Sequence, residues 1–168
     1  MTHSPTDPSD SLLQAYTGQV RVRVGGLLVQ KGAILLAAHR GLLPDNVPFW
    51  SPPGGGWEFG ETIRECLRRE FQEETGMRVE VGRFLHLHEF MDQDLQALEL
   101  FFEVKPLDPT ATPRLGSDPE HAAEGQVLTR LAFFTPRQLV SMPVLQVHPI
   151  LRLILSPDDV YIPLQLFK

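Results

Sequence analysis

The chain is short of several things, and each scarcity narrows what it can be. It has one cysteine, Cys66, in 168 residues. A single cysteine excludes an internal disulfide, and a reducing compartment is the simplest setting for it. No apolar run approaches the roughly 18 residues of a membrane-spanning helix. The first residues, MTHSPTDPSDSLLQ, lack the apolar stretch of a secretory signal. A cytoplasmic protein with no membrane partner is therefore expected. Positive charge is scarce too, with 15 Lys and Arg against 21 Asp and Glu and a formal net charge of −6. That balance argues against nucleic-acid binding, which wants a basic surface. It leaves small phosphate compounds open as substrates, because a bound metal can reverse the local sign of charge.

What is present suits one domain with a sizeable core. Residues 1–17 are polar and rich in Ser, Thr, Pro and Asp, and read as a flexible N-terminal tail. Residues 18–155 read as the domain. Residues 156–168 read as a C-terminal tail whose VYIPLQLF stretch packs on the domain or on a partner, and a homodimer is the expected assembly. Val20, Val22 and Val24 alternate with Arg21 and Arg23 as a strand that Gly25-Gly26 interrupts and Leu27–Val29 resumes. Lys31-Gly32 reads as a hairpin turn into a second strand over Ala33–Ala38. The stretch Pro52-Pro53-Gly54-Gly55-Gly56 reads as punctuation in which no regular element persists. Further strands are expected at Val79–Phe90, Leu95–Val104 and Val127–Phe134. A long proline-containing loop spans Pro106 to Gln126, and loops of that length in compact domains are usually functional or disordered. Short helices are expected from Thr135-Pro136 and across Ile150–Leu155.

The clearest helix runs from Thr62 to about Thr75, with Gly76 just past its end. Residues three and four apart share a helix face. One face reads Ile63, Cys66 and Leu67, then Glu70, then Glu73 and Glu74. The opposite face, Glu65, Arg68 and Gln72, is solvated. The stripe thus begins apolar and ends anionic. It is either a solvated acidic face or a site. Two like charges about 4 Å apart cost on the order of 4 kcal/mol at an effective dielectric of 20, so a partly buried cluster needs a counter-charge. Arg68 and Arg69 read as lying off the stripe. A hard divalent cation with oxygen ligands, Mg²⁺ or Mn²⁺, meets the need. Cys66 reads as packing. His86 and His88 share a strand face and can chelate a metal, but no third ligand is evident from the sequence.

From Gly55 to Met77 the chain fits G-x5-E-x7-R-E-U-x-E-E-x-G-U without a gap, where U is a bulky apolar residue. The matching residues are Gly55, Glu61, Arg69, Glu70, Phe71, Glu73, Glu74, Gly76 and Met77. This resembles the Nudix box of the Nudix hydrolases, and the resemblance extends over about residues 18–155. It implies an α/β fold, a single-domain α/β/α sandwich around a mixed β-sheet. It also implies hydrolysis of a phosphoanhydride in a nucleoside diphosphate linked to another group X, such as ADP-ribose, a nucleotide sugar or an oxidised or ordinary dNTP. Carried over by position, Glu70 and Glu74 are the principal metal ligands, Glu73 is a third, and the carbonyl of Gly55 completes the shell. Glu61 orients the site or serves a further metal through water. Arg69 holds a glutamate in place. The proton acceptor is a box glutamate or a loop glutamate, Glu124 or Glu120. Arg40, Trp50 and Glu120 are the candidate substrate contacts, with Phe49 and Trp57 as further aromatics near the glycine turn. The family's substrate-specific marks are missing past the box, where the chain reads EFMDQDL, so X stays open. The alternative is a Nudix-like sensor that binds a nucleotide without turnover; such modules commonly have damaged boxes or an added DNA-binding domain. Isopentenyl diphosphate isomerase shares the fold, but one helix-buried cysteine does not match its site.

Overall fold

A computed structural model of the chain describes residues 17–92, 95–116 and 127–153. Strand β1 (Val20–Gln30) and β2 (Ala33–His39) form a hairpin through Lys31 and Gly32, both at positive φ. A 3₁₀ turn at Pro44–Asn46 leads to β3 (Phe49–Ser51) and β4 (Gly54–Gly56). Helix α1 spans Ile63–Thr75. Strands β5 (Val79–Asp92), β6 (Leu95–Pro106) and β7 (Leu128–Phe134) follow. A short helix α2 (Pro136–Ser141) and two 3₁₀ turns, Val144–Gln146 and Pro149–Leu153, complete the order.

The seven strands make one mixed sheet with a main path β3-β2-β1-β6-β5. Strands β1 and β6 run parallel over Val20–Leu28, and every other ladder among the named strands is antiparallel. Helix α1 covers one face. Its Cys66, Leu67 and Phe71 pack with Val24, Leu28, Leu35, Val81 and Val104. On the other face Leu139 of α2 and Ile150 and Leu151 of the last turn pack with Leu27, Ile34, Leu36, Leu85 and Phe101. Strand β2 shows the period of two directly: Leu35 faces one layer, Ile34 and Leu36 the other. The architecture is the expected α/β/α sandwich.

Two expectations fail at glycines. Gly25-Gly26 does not break β1, which continues through Gln30. The partner ladder runs on opposite Phe101 and Phe102, and the missing side chains make room for rings: a Cβ on Gly25 would lie 2.6 Å from Phe101. Gly54–Gly56 is not unstructured either. It forms β4, paired antiparallel to Arg23–Gly25. Without side chains the segment can lie flat against β1, and side chains reach the Gly54 amide and the Gly54 and Gly56 carbonyls.

Helix α1 has the ends its sequence calls for. Thr62 Oγ1 accepts from the Glu65 amide at 3.2 Å, and Glu65 Oε2 accepts from the Thr62 amide at 2.8 Å. At the far end Gly76 turns left-handed (φ 65°), its N–H donating to the Gln72 carbonyl. Thr135 and Gln138 cap α2 in the same reciprocal way. No helix among the described residues is long and apolar enough to cross a membrane.

Candidate active site

Strand β4 lies against the acidic helix, and the two are sewn together by one arginine. Arg69 Nη2 donates to Glu61 Oε1 at 2.9 Å, and its Nε donates to Oε2 of the same carboxylate at 3.3 Å. Its Nη1 donates to Glu70 Oε1 at 2.8 Å and to Glu73 Oε2 at 3.3 Å. Nη2 also reaches the Gly56 carbonyl at 3.2 Å and lies 3.8 Å from Glu58. The planar fork suits bidentate contact with Glu61 and a second reach along the helix. Arg69 is therefore part of the acidic cluster and not off its stripe. The helical projection placed only the Cα; the long side chain folds back over the turn N-terminal to it.

The carboxylates differ in their surroundings. Glu70 and Glu74 are buried, each 7% exposed, whereas Glu73 is half-buried at the edge. The Gly54 amide donates to Glu74 Oε2 at 3.0 Å. The Glu70 carboxylate occupies the space that a Cβ on Gly55 would need. Glu61 is fixed from several sides: the Glu58 amide donates to its Oε1 at 3.0 Å, and Trp57 Nε1 donates to its backbone carbonyl at 2.9 Å. The Arg69 hydrogen bonds hold the Glu61 carboxyl below its usual range, against the opposing effect of burial. The Glu61 hydrogen bonds in turn hold the Arg69 guanidinium protonated even more firmly than usual. Cys66 donates its thiol to the Gly56 carbonyl at 3.4 Å, and burial pushes that thiol up to about 12, which makes it a packing group and a poor nucleophile.

One guanidinium thus lies within salt-bridge distance of four carboxylates, Glu58, Glu61, Glu70 and Glu73, and Glu74 adds a fifth beside them. Among the described residues the cluster holds more anions than cations. Its donors are hard oxygens backed by a glycine turn that closely approaches them. That is a donor set suited to Mg²⁺ or Mn²⁺.

The other expected contacts fare differently. Trp50 is not available to stack on a substrate. It is 2% exposed, edge-on to Phe134 at 4.7 Å between centroids, with Arg130 over its ring. Its place on β3 points it into the core beneath α2, where its area is worth more than at the cleft. Trp57 and Phe59 are the exposed aromatics beside the box. Arg40 is exposed just past β2, and its amide donates to the Val127 carbonyl at 3.0 Å. Glu120 and Glu124 lie outside the described residues, as do residues 1–16 and 154–168. The described part of their loop does reach the site. Gly116 donates its amide to the Glu74 carbonyl at 3.0 Å, and Arg114 donates to the Thr75 carbonyl at 2.8 Å.

A second cluster lies across the glycine turn. Arg23 Nη2 donates to the Gly54 carbonyl at 3.2 Å, and its Nε lies 3.6 Å from Glu99 Oε1. Glu99 Oε2 is 2.7 Å from His148 Nε2, and His88 stands directly opposite Glu99 in the β5–β6 ladder. Sequence reasoning found His88 and missed Glu99 and His148. The β5–β6 register sets His88 against Glu99, and the turn at His148 adds a residue 49 positions beyond Glu99, a meeting that no local pattern discloses.

Comparison with known proteins agrees with the geometry. A NUDIX domain model matches residues 19–152. A nucleoside triphosphatase NudI of Enterobacter sp. (strain 638) is 44% identical over 64 residues, 36% of this chain and 43% of that protein. An ADP-ribose pyrophosphatase of Methanocaldococcus jannaschii is 36% identical over 76 residues, 44% of this chain and 42% of that protein. The chain thus spans less than half of either relative's length. The structure of a NUDIX hydrolase from Nitrosomonas europaea superposes with a TM-score of 0.63 at 18% identity, covering 89% of this chain and 97% of that one, a likeness of fold.

Proposed function

The chain belongs to the NUDIX domain family, and from that premise we propose that it is a Mg²⁺- or Mn²⁺-dependent hydrolase of a phosphoanhydride bond in a nucleoside diphosphate linked to X. The observation that carries this reading is the arrangement around Arg69: Glu61, Glu70 and Glu73 on one guanidinium, with Glu74 held by the Gly54 amide. Glu70, Glu74 and Glu73, with the Gly55 carbonyl, would hold the metal. Bound there, the metal neutralises phosphate charge and makes a water more acidic.

The chain's own residues do the rest. Arg69 fixes the direction of the Glu70 and Glu73 carboxylates and offsets part of their repulsion, so the donors need little rearrangement. The Gly54 N–H occupies one Glu74 oxygen and so orients the other. Glu61, kept ionised by Arg69, stays an acceptor across the neutral range. A carboxylate within reach of the attacking water takes its proton. Glu124 is the leading candidate, with Glu120 or a box glutamate in its place. Their loop is anchored at Gly116 to the Glu74 carbonyl, next to the cluster. Arg40 is the candidate contact for a terminal phosphate.

The names of the relatives cover nucleoside triphosphates and ADP-ribose, so X is tested directly. A panel of dNTPs, ADP-ribose, nucleotide sugars and dinucleotides, with Mg²⁺ or Mn²⁺, is followed by release of phosphate, pyrophosphate or nucleoside monophosphate. One compound class is expected to turn over, and only with a divalent cation. Turnover undiminished in EDTA, or tight nucleotide binding with no turnover across the panel, would sink the hydrolase reading, the latter in favour of a sensor.

A further inference from the structure

The geometry points to a second metal centre, a Zn²⁺ site made by His88, Glu99 and His148 and separate from the carboxylate box. One ligand atom from each of the three lies within 4.8 Å of the other two. The site is built from the frame of the fold. His88 on β5 and Glu99 on β6 are direct cross-strand partners. His148 is laid over them by backbone pairing: Val147 bridges Trp50, and the His148 amide donates to the Trp50 carbonyl at 2.9 Å. The two imidazoles meet edge-on, with centroids 5.1 Å apart.

A Glu–His hydrogen bond alone accounts for two of these residues and leaves the second imidazole without a task. Zinc bonds of about 2.0–2.1 Å place tetrahedral donor atoms about 3.3 Å apart, inside the observed spread. Glu99 and His148, now 2.7 Å apart, need only open slightly. The donor states also suit a metal. Burial holds the His88 imidazole below its usual range, so its lone pair is free near neutrality. Burial pushes the Glu99 carboxyl up, but His148 and then Arg23 outweigh it and keep the group ionised. Two imidazole nitrogens and one carboxylate favour Zn²⁺ over the Mg²⁺ that an all-oxygen box selects. The rings of Phe101 and Phe49, 5.3 and 6.2 Å from His148, wall the group with apolar surface. One contact opposes coordination. The Ile150 amide donates to His148 Nδ1 at 3.3 Å, and a metal on Nε2 would move the ring proton to Nδ1. That long hydrogen bond is what binding must give up.

The site is not isolated. Glu99 Oε1 faces Arg23, and Arg23 holds the Gly54 carbonyl, so zinc on Glu99 would act on the residue whose amide holds Glu74.

The test uses the full chain, stripped with EDTA and dialysed against Zn²⁺ in excess Mg²⁺, with metal counted by mass spectrometry. Co²⁺ in place of Zn²⁺ gives the visible bands of a tetrahedral nitrogen–oxygen site. The expected result is a single equivalent of zinc in the native chain and in Glu74→Gln, with affinity falling about tenfold or more in His148→Ala and His88→Ala. Should His148→Ala not fold, as judged by circular dichroism, the half-buried His88 decides alone. Three results would each overturn the site: no zinc retained against Mg²⁺, zinc unchanged by His88→Ala, or zinc lost in Glu74→Gln, which would place it in the box. None of these readings depends on hydrolysis.

Discussion

The two clusters on either side of the glycine turn are built on opposite plans. The box cluster gathers Glu61, Arg69, Glu70, Glu73 and Glu74 from one short stretch of chain, with one cation serving many anions. The His88–Glu99–His148 group draws on three distant segments, and its single carboxylate is shared between a histidine and Arg23. Among the described residues the first holds one arginine against five carboxylates, an arrangement suited to a cation. The second is nearly balanced and calls only for something that uses its lone pairs. Charge excess marks one kind of site and donor chemistry the other.

The widest separation between the two should appear on changing a box ligand. Glu70→Gln or Glu74→Gln is expected to leave the circular dichroism spectrum intact and to cut turnover by about three orders of magnitude or more, because a proposed metal ligand is lost. Near-normal Mg²⁺-dependent activity in both variants would remove the distinction altogether.

Arg69→Ala probes how incomplete the box cluster is. It should lower stability by roughly 1.5–3 kcal/mol, the range for hydrogen bonds to charged groups. Chemical denaturation should show the loss partly restored by Mg²⁺, since a cation then replaces the guanidinium. The pH dependence has a definite sign. Glu61 has a folded-state carboxyl held below its usual range, so its contribution is present above the unfolded carboxylate pKa and disappears as pH falls through the lowered folded value. The gap between the native chain and Arg69→Ala should therefore narrow in acid. A gap that widens on acidification would contradict the assigned pairing.

Gly55→Ala tests the wall that both clusters approach. A Cβ there collides with the Glu70 carboxylate. An overpacking cost of about 1–3 kcal/mol is expected, with weaker Mg²⁺ binding by titration calorimetry. Zinc binding across the turn should change less than Mg²⁺ binding. Equal loss of both would mean that the turn moves as one piece.

The smallest effect is expected at Trp50. Trp50→Phe should cost about 1–2 kcal/mol in thermal or chemical unfolding and leave KM for the nucleotide unchanged. A raised KM at unchanged stability would return Trp50 to the substrate.

These regions also differ in how far the sequence disclosed them. Helix α1, its Thr62 and Gly76 caps and its acidic stripe were legible because helical period and capping are local. Most strands were legible by alternation. Strand β4 was not, because three glycines carry no pattern and their pairing depends on β1. Arg69 was set off the stripe by the projection, yet its side chain reaches Glu61, Glu70 and Glu73, since side-chain direction is not contained in Cα phase. Trp50 was misread because burial beneath α2 is a tertiary outcome. Glu99 and His148 could not have been joined to His88 without the β5–β6 register and the Trp50–Val147 bridge.

The seat of Gly116 has one more consequence. Its amide is fixed on the Glu74 carbonyl, and Val127 is fixed to Arg40 at the other end of the segment. A Cβ on Gly116 would run into the Glu73 carbonyl, so glycine alone lets this backbone lie so close to the last turn of α1. The turn that carries Glu73 and Glu74 is therefore propped from outside the helix, and a methyl group added at this uncharged residue should disturb the cluster without touching a carboxylate.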